Sequence, residues 1–180
     1  MSDAALLAGL RAGDKASFDA IFRAHYASLV RVVEGMLHRR DVAEEVVQEV
    51  MLELWRRRET LVVEESLRAY LFRAARNRAL NSLRHDAIAK RAEPVLAGDS
   101  VAPAGAHAQL VEEEIEVALR GAIRDLPERC REVFELSRVH GLRYAEIAAT
   151  LDISVKTVEA QMGKALRILR ERMAPWLPQA

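Results

Sequence analysis

Apolar residues return at three- and four-residue steps through most of this chain, and no stretch shows the strict alternation of a half-buried strand. Phe18, Ile21, Phe22, Tyr26, Leu29, Val30, Val33 and Leu37 trace one such stripe. Val46, Val47, Val50, Met51, Leu54 and Trp55 trace a second, after Asp41 as the expected N-cap. A third helix is expected from a Ser66 cap to about His85. A fourth carries Val111, Ile115, Ala118, Leu119, Ala122 and Ile123 on one face. Helices of this kind are stable only when their apolar faces cover one another, so the period predicts an all-α fold. Composition agrees: alanine, leucine, arginine and glutamate, strong helix formers, dominate a chain that is 51% apolar and only 5% aromatic. That apolar share serves one or two packed cores in 180 residues.

One stretch has no period. Residues 92–108 scatter Pro94, Gly98, Pro103 and Gly105 among alanines and read as a flexible linker between two small helical domains. Fully extended, such a linker reaches at most about 60 Å. Charge divides along the same line. Residues 1–67 are net −3, 68–91 net +6, 92–128 net −6 and 129–180 net +3, which sum to a neutral chain. Two basic blocks between acidic ones mark either solvated helix faces or two separate places that meet an anion.

The sharpest local pattern is LRYAEIAATLDISVKTVEAQMGKALRIL. It predicts a helix over Tyr144–Leu151, a turn at Asp152-Ile153, and a second helix from Val155 to about Arg170 capped by Ser154. Ala148 is small where two backbones approach, and Ile147, Leu151, Ile153 and Val158 supply a shared core. This is a helix-turn-helix layout, with Asp152 at the left-handed turn position that most often holds glycine. Ahead of it, Pro127 suits the first turn of a helix that ends near His140 with Gly141 as a left-handed cap. The second helix of the motif turns Lys156, Thr157, Glu159, Ala160, Gln161, Lys164 and Arg167 outward. Lys156, Thr157, Glu159 and Ala160 are placed for base edges, and Lys164 and Arg167 for phosphate, the alternative being a helical hairpin with no ligand.

A second pattern is SLRAYLFRAARNRALNSLRHD, residues 66–86. Arg73, Arg76, Asn77, Asn81 and Arg84 form one polar stripe. Leu67, Leu71, Ala74 and Leu83 are expected inward, with Tyr70 and Phe72 as aromatic surface beside the stripe. Cations next to aromatic rings suit a nucleic-acid strand with unstacked bases; the alternative is a solvated arginine-rich helix whose aromatics belong to the core. The helix after Asp41 carries the opposite sign: Glu45, Glu49 and Glu53 stack on an outer face. That face is either solvated or a dock for a basic protein.

Enzyme signatures are missing: no phosphate-cradling glycine loop, no paired metal-binding histidines and no nucleophile elbow. The five histidines are scattered, so neither a metal nor a cofactor is expected. The single cysteine, Cys130, reads as a small buried hydrophobe in a reducing compartment. No apolar run approaches a membrane span, and the N-terminus lacks a signal-peptide layout, so a cytoplasmic protein is expected.

Taken together, DVAEEVVQEVMLELW, SLRAYLFRAARNRALNSLR and LPERCREVFELSRVHGLRYAEIAATLDISVKTVEAQMGKALRILR, in this order and joined by the linker, resemble the extracytoplasmic-function (ECF) group of the sigma-70 family of bacterial RNA polymerase initiation factors. The resemblance covers roughly residues 14–86 and 110–172. Met51 and Asp152 depart from the residues usual in the family. The resemblance implies region 2 over residues 1–91, a linker over 92–108 and a region 4 helix-turn-helix over 109–180. It implies a non-enzymatic DNA-binding subunit with core RNA polymerase, promoter DNA and an anti-sigma factor as partners. Asp41, Glu44, Glu45, Gln48, Glu49 and Leu52 would meet the polymerase. Arg73, Arg76, Asn77, Asn81 and Arg84 would hold the opened −10 strand, and the loop Arg57–Glu65 would capture an extruded base. Arg143, Ser154, Lys156, Thr157, Glu159, Ala160, Lys164 and Arg167 would read the −35 duplex. A stand-alone helix-turn-helix regulator has no use for residues 41–86, and an all-helical adaptor would bind no DNA.

Overall fold

The computed structural model describes residues 3–90 and 110–176; the expected linker and both expected domain limits lie outside them. Eight α-helices follow one another: α1 (Asp3–Arg11), α2 (Lys15–Leu37), α3 (Arg40–Arg56), α4 (Leu67–Lys90), α5 (Leu110–Arg124), α6 (Glu128–Arg138), α7 (Tyr144–Leu151) and α8 (Val155–Met173). A short 3-10 turn, Ala174–Trp176, follows α8, and no strand occurs among the described residues. The chain divides into two compact units, one built on α1–α4 and the other on α5, α6, α8 and most of α7.

In the first unit, α2 packs against α1, α3 and α4. Ile21, Leu29 and Val33 from α2 are fully buried, as are Val47 and Leu54 from α3 and Leu67, Leu71 and Phe72 from α4. Each such side chain contributes about 1.5–3 kcal/mol by leaving water. Helix α1 is not among the expected elements, because Leu6 and Leu10 are its only buried residues and two positions make no readable stripe. It joins α2 through a tight turn. Gly13 takes a left-handed φ of 76°, while its N–H donates to the Leu10 carbonyl at 2.9 Å and the Asp14 N–H to the Gly9 carbonyl at 3.0 Å. This Schellman arrangement satisfies the last carbonyls of α1. Asp14 then caps α2, accepting from the Ala16 and Ser17 amides at 3.1 and 3.0 Å and from the Ser17 hydroxyl at 2.6 Å. The two helices approach closely: a Cβ on Gly9 would clash with Ser17 Oγ.

In the first unit, two helix ends differ from expectation. The N-cap of α3 is Arg39, extended at φ −140°, rather than Asp41. The Arg39 carbonyl accepts from Ala43 at 3.0 Å, so Asp41 already lies inside the first turn. Its carboxylate pairs with the Arg39 guanidinium at 2.6 Å. Helix α4 begins as expected, with Ser66 Oγ accepting from the Ala69 N–H at 3.1 Å. It runs five residues past His85 to Lys90, since neither glycine nor proline interrupts it before Pro94.

In the second unit, α8 packs against α5 and α6. Ala122, Leu126, Cys130, Ala165 and Leu169 form a buried cluster, with Ile123, Phe134, Ile168 and Met173 packed around it. Leu119 on α5 is exposed, against expectation. Pro127 is the N-cap of α6 with ψ 140°, one position before the first turn where it was expected. Helix α6 stops at Arg138, and Gly141 is left-handed at φ 66° as expected. Glu146, at the third position of α7, reaches back to the Arg143 N–H at 2.9 Å, half of a capping box.

Candidate nucleic-acid interface

The helix-turn-helix turn is built as its sequence requires. Asp152 adopts a left-handed φ of 56°, and the Ile153 N–H donates to the Ala148 carbonyl at 3.0 Å, closing α7 with a Schellman bond. Ser154 is extended and caps α8, accepting from the Thr157 N–H at 3.1 Å. Its hydroxyl also meets the Thr157 hydroxyl at 2.8 Å. Ile147, Leu151 and Val158 are buried, Ala148 sits among them with 8% exposure, and Ile153 is half-buried.

Beyond this cap, Lys156, Thr157, Glu159, Ala160, Lys164 and Arg167 are all exposed on α8. Gln161 is not. It turns inward, where its side-chain carbonyl accepts the Cys130 thiol proton at 3.1 Å. Arg143 is an exposed residue just ahead of α7, with its guanidinium 3.4 Å from the buried Glu146 carboxylate. Helix α8 thus offers an exposed N-terminal end capped by Ser154, followed by Lys164 and Arg167 about two and a half and three turns further on.

In the first unit, Arg73, Asn77, Asn81 and Arg84 are exposed along α4 and Arg76 is half-buried beside them. The stripe spans roughly 16 Å along the helix axis. No carboxylate occurs on α4 before Asp86, so its arginines stand on a helix of one sign. Asn81 accepts from Arg84 at 3.2 Å. Phe72 is a correction: it is fully buried, because it lies on the face of Ala75 and Ala79, which α4 turns to the core. Leu83 is the reverse, 38% exposed beyond the reach of that core. Tyr70 alone of the two aromatics stays half-buried near the stripe.

Helix α3 presents Glu45, Gln48, Glu49 and Leu52 outward, and Leu52 is 52% exposed, an apolar spot among acids. Glu44 is half-buried and pairs with Arg40 at 2.9 Å. Hydrogen bonding from Arg39, then from the Val42 amide, lowers the Asp41 pKa and holds it anionic. Arg78 was not among the candidate residues; it leaves the α4 stripe to pair with Glu49 at 2.9 Å. Between α3 and α4, the Arg58 guanidinium lies 4.8 Å from the centre of the Trp55 ring and donates to the Trp55 carbonyl at 3.0 Å. Trp55 in turn meets Phe18 edge-on at 5.3 Å.

Residues 21–87 match the model of sigma-70 region 2, and residues 116–169 match the model of sigma-70 region 4. The chain belongs to the sigma-70 family. Within it, this sigma factor falls in the ECF group. It is 26% identical to the ECF RNA polymerase sigma-E factor of Haemophilus influenzae over 97% of both chains. It is 28% identical to the ECF RNA polymerase sigma factor SigM of Mycobacterium tuberculosis over 91% of this chain and 81% of that protein. Identity to the RNA polymerase sigma-H factor of Pseudomonas aeruginosa is 26%, over 99% and 97% of the two chains. Two solved structures share the fold. CnrH in complex with the cytosolic domain of CnrY superposes with a TM-score of 0.67 at 23% identity, covering 96% of this sigma factor and 97% of that chain. The sigma factor RpoE in complex with the anti-sigma factor NepR from Bartonella quintana gives 0.66 at 20% identity, covering 87% and 96%.

Proposed function

We propose that this ECF sigma factor binds core RNA polymerase through the exposed face of α3, holds the opened −10 strand along α4, and sets α8 in the major groove of the −35 duplex. Residues 1–91 form region 2, residues 109–180 form region 4, and residues 92–108 tie them together. The observation that carries this reading is the pair of exposed polar faces, the single-sign stripe of α4 and the Ser154-capped face of α8, on two separate units of one chain. One suits separated strands, the other a closed groove.

In this reading Asp41, Glu44, Glu45, Gln48 and Glu49 face a basic polymerase surface with Leu52 as the apolar anchor. Arg73, Arg76, Asn77, Asn81 and Arg84 hold the non-template strand. Extrusion of a base costs a few kcal/mol, offset by stacking and by arginine–phosphate contacts. Arg143, Ser154, Lys156, Thr157, Glu159, Ala160, Lys164 and Arg167 serve the −35 element. Linkage of two weak contacts raises the effective concentration of each. The protein acts in the cytoplasm without a catalytic step of its own, and among the described residues no helix is long and apolar enough to cross a membrane. An anti-sigma protein covers the polymerase- and DNA-facing surfaces in the resting state, as the pairing of RpoE with NepR suggests by analogy.

Run-off transcription with purified core polymerase on a library of upstream DNA is the test. Initiation at a defined subset of sequences is expected. Specific binding to duplex DNA without polymerase, and no initiation with it, would instead identify a stand-alone regulator. Replacing Arg76 and Asn77 with alanine is expected to impair strand opening more than polymerase binding.

A further inference from the structure

We propose that α1, which lies before the matched region 2 segment, is the brace that holds the 57–65 loop in its base-capturing shape, with Arg11 as the positioning residue. The proposal rests on the assignment of that loop to base capture. Its physical basis is the loop's lack of internal support. The entry is held by the Thr60 N–H to the Arg57 carbonyl at 2.9 Å and by the Arg58 N–H to the Trp55 carbonyl at 3.4 Å. Among the described residues, no further backbone bond of this kind is made by residues 61–65, until the Ser66 carbonyl accepts from Tyr70.

Helix α1 supplies what the loop lacks. The Arg11 guanidinium donates to the Leu61 carbonyl at 3.1 Å, fifty residues away in sequence. The Asp3 carboxylate accepts from the Leu67 N–H at 3.3 Å, at the loop's exit. At the entry, a Cβ on left-handed Gly13 would lie 3.8 Å from Arg58 Nε, so the α1–α2 turn abuts the residue that stacks on Trp55. Charged groups thus anchor one backbone atom inside the loop and one at the first residue of α4, and the turn abuts the loop's entry, while Leu61 is buried and Val62 is left 75% exposed at the tip. A charge-assisted bond to a backbone carbonyl is both stronger and more directional than a neutral one. A pocket that takes an unstacked base must be preorganised, because slack in its walls loses discrimination between bases. Region 2 is matched only from residue 21, so α1 stands outside the segment that the family model describes.

The test compares Arg11→Ala, Arg11→Lys, Asp3→Ala and the loop double variant Val62→Ala/Glu64→Ala, each as full-length protein assembled with core polymerase. Strand opening is followed by 2-aminopurine fluorescence on promoters varied base by base across the −10 element. Amide hydrogen exchange, thermal melting and core affinity are measured beside it. For Arg11→Ala, preference among −10 bases is expected to fall by about tenfold, in line with loss of one charge-assisted bond. Amides of residues 61–66 should exchange faster, with core affinity and −35 duplex preference unchanged. Arg11→Lys, which keeps a cationic donor, should recover part of the preference. If the loop variant loses −10 preference but Arg11→Ala and Asp3→Ala keep it, the brace is refuted and the loop assignment stands. If the loop variant also keeps it, both are refuted. If Arg11→Ala and Asp3→Ala merely lower the melting temperature, with exchange quickened throughout the first unit, the positioning role is overturned in favour of general stability.

Discussion

Glu49 on α3 and Arg78 on α4 meet at 2.9 Å, joining the helix assigned to polymerase with the helix assigned to DNA. Both partners are partly exposed, and a surface pair of this kind contributes about 0.2–1 kcal/mol. Its removal is therefore expected to change stability little. Glu49→Lys should leave the melting temperature within a few degrees while weakening core-polymerase affinity at least about tenfold, since it places like charge against a basic surface. Arg78→Ala, which removes the pair but keeps the acid, should bind core nearly as the wild type does. Equal loss for both variants in a fluorescence-anisotropy titration would remove Glu49 from the interface.

The exposed residues of α8 divide into two classes with different signatures. Lys156→Ala and Glu159→Ala should relax −35 preference at single base positions, by about 1–3 kcal/mol for a good bidentate contact. Lys164→Ala and Arg167→Ala should weaken binding uniformly across sequences and lower the slope of log affinity against log salt by about one each. Holoenzyme selection from a randomised −35 library, repeated at several salt concentrations, separates the two.

Gln161 lies between Lys156 and Lys164 on α8, yet it serves the interior, accepting from the buried Cys130 thiol at 3.1 Å. Gln161→Ala is expected to leave −35 preference unchanged and to cost about 1 kcal/mol in the second unit. Cys130→Ala removes the donor and leaves a small cavity beside Leu126 and Leu169, for a cost of similar size. Denaturant titration of the second unit measures both, and a shifted −35 preference in Gln161→Ala would return that residue to the reading face.

Asp14 links acid sensitivity to the α1–α2 turn. The Ser17 hydroxyl, then the Ala16 and Ser17 amides, lower its pKa below the ordinary 3.8. A depressed carboxylate contributes its stability in full above the unfolded value and loses it as pH falls through the folded one. The first unit should therefore weaken as pH drops below about 4. Asp14→Asn keeps a capping oxygen and loses the titration, so its melting temperature should fall less steeply over the same range. Identical pH profiles for variant and wild type would exclude Asp14 as a contributor.

Much of the architecture is legible because its causes are local. The helix-turn-helix follows from spacing, from the Ser154 cap and from the tolerance of aspartate for a left-handed turn, all within a dozen residues. The polar stripe of α4 is likewise readable, since residues three and four apart share a face whatever the helix packs on. Where the structure departs from the local pattern, the deciding neighbour is distant in sequence. Phe72 stands next to Arg73 in sequence but α4 turns it to the core, and Gln161 stands among reading residues but α6 brings Cys130 beneath it.

Periodicity, capping residues and charge blocks by themselves determined the helical class, the two modules and the order of their motifs, because each is set by the chain's own short-range geometry. Only the tertiary structure decided that nine residues at the start form α1, that Arg11 reaches across fifty positions to a loop with little support of its own and Asp3 across sixty-four to the first residue after it, and that Glu49 is shared with Arg78. The physical reason is that a bond between distant residues leaves no periodic trace: it exists only once the apolar faces of α1 to α4 have found one another and fixed which backbone atoms come within reach.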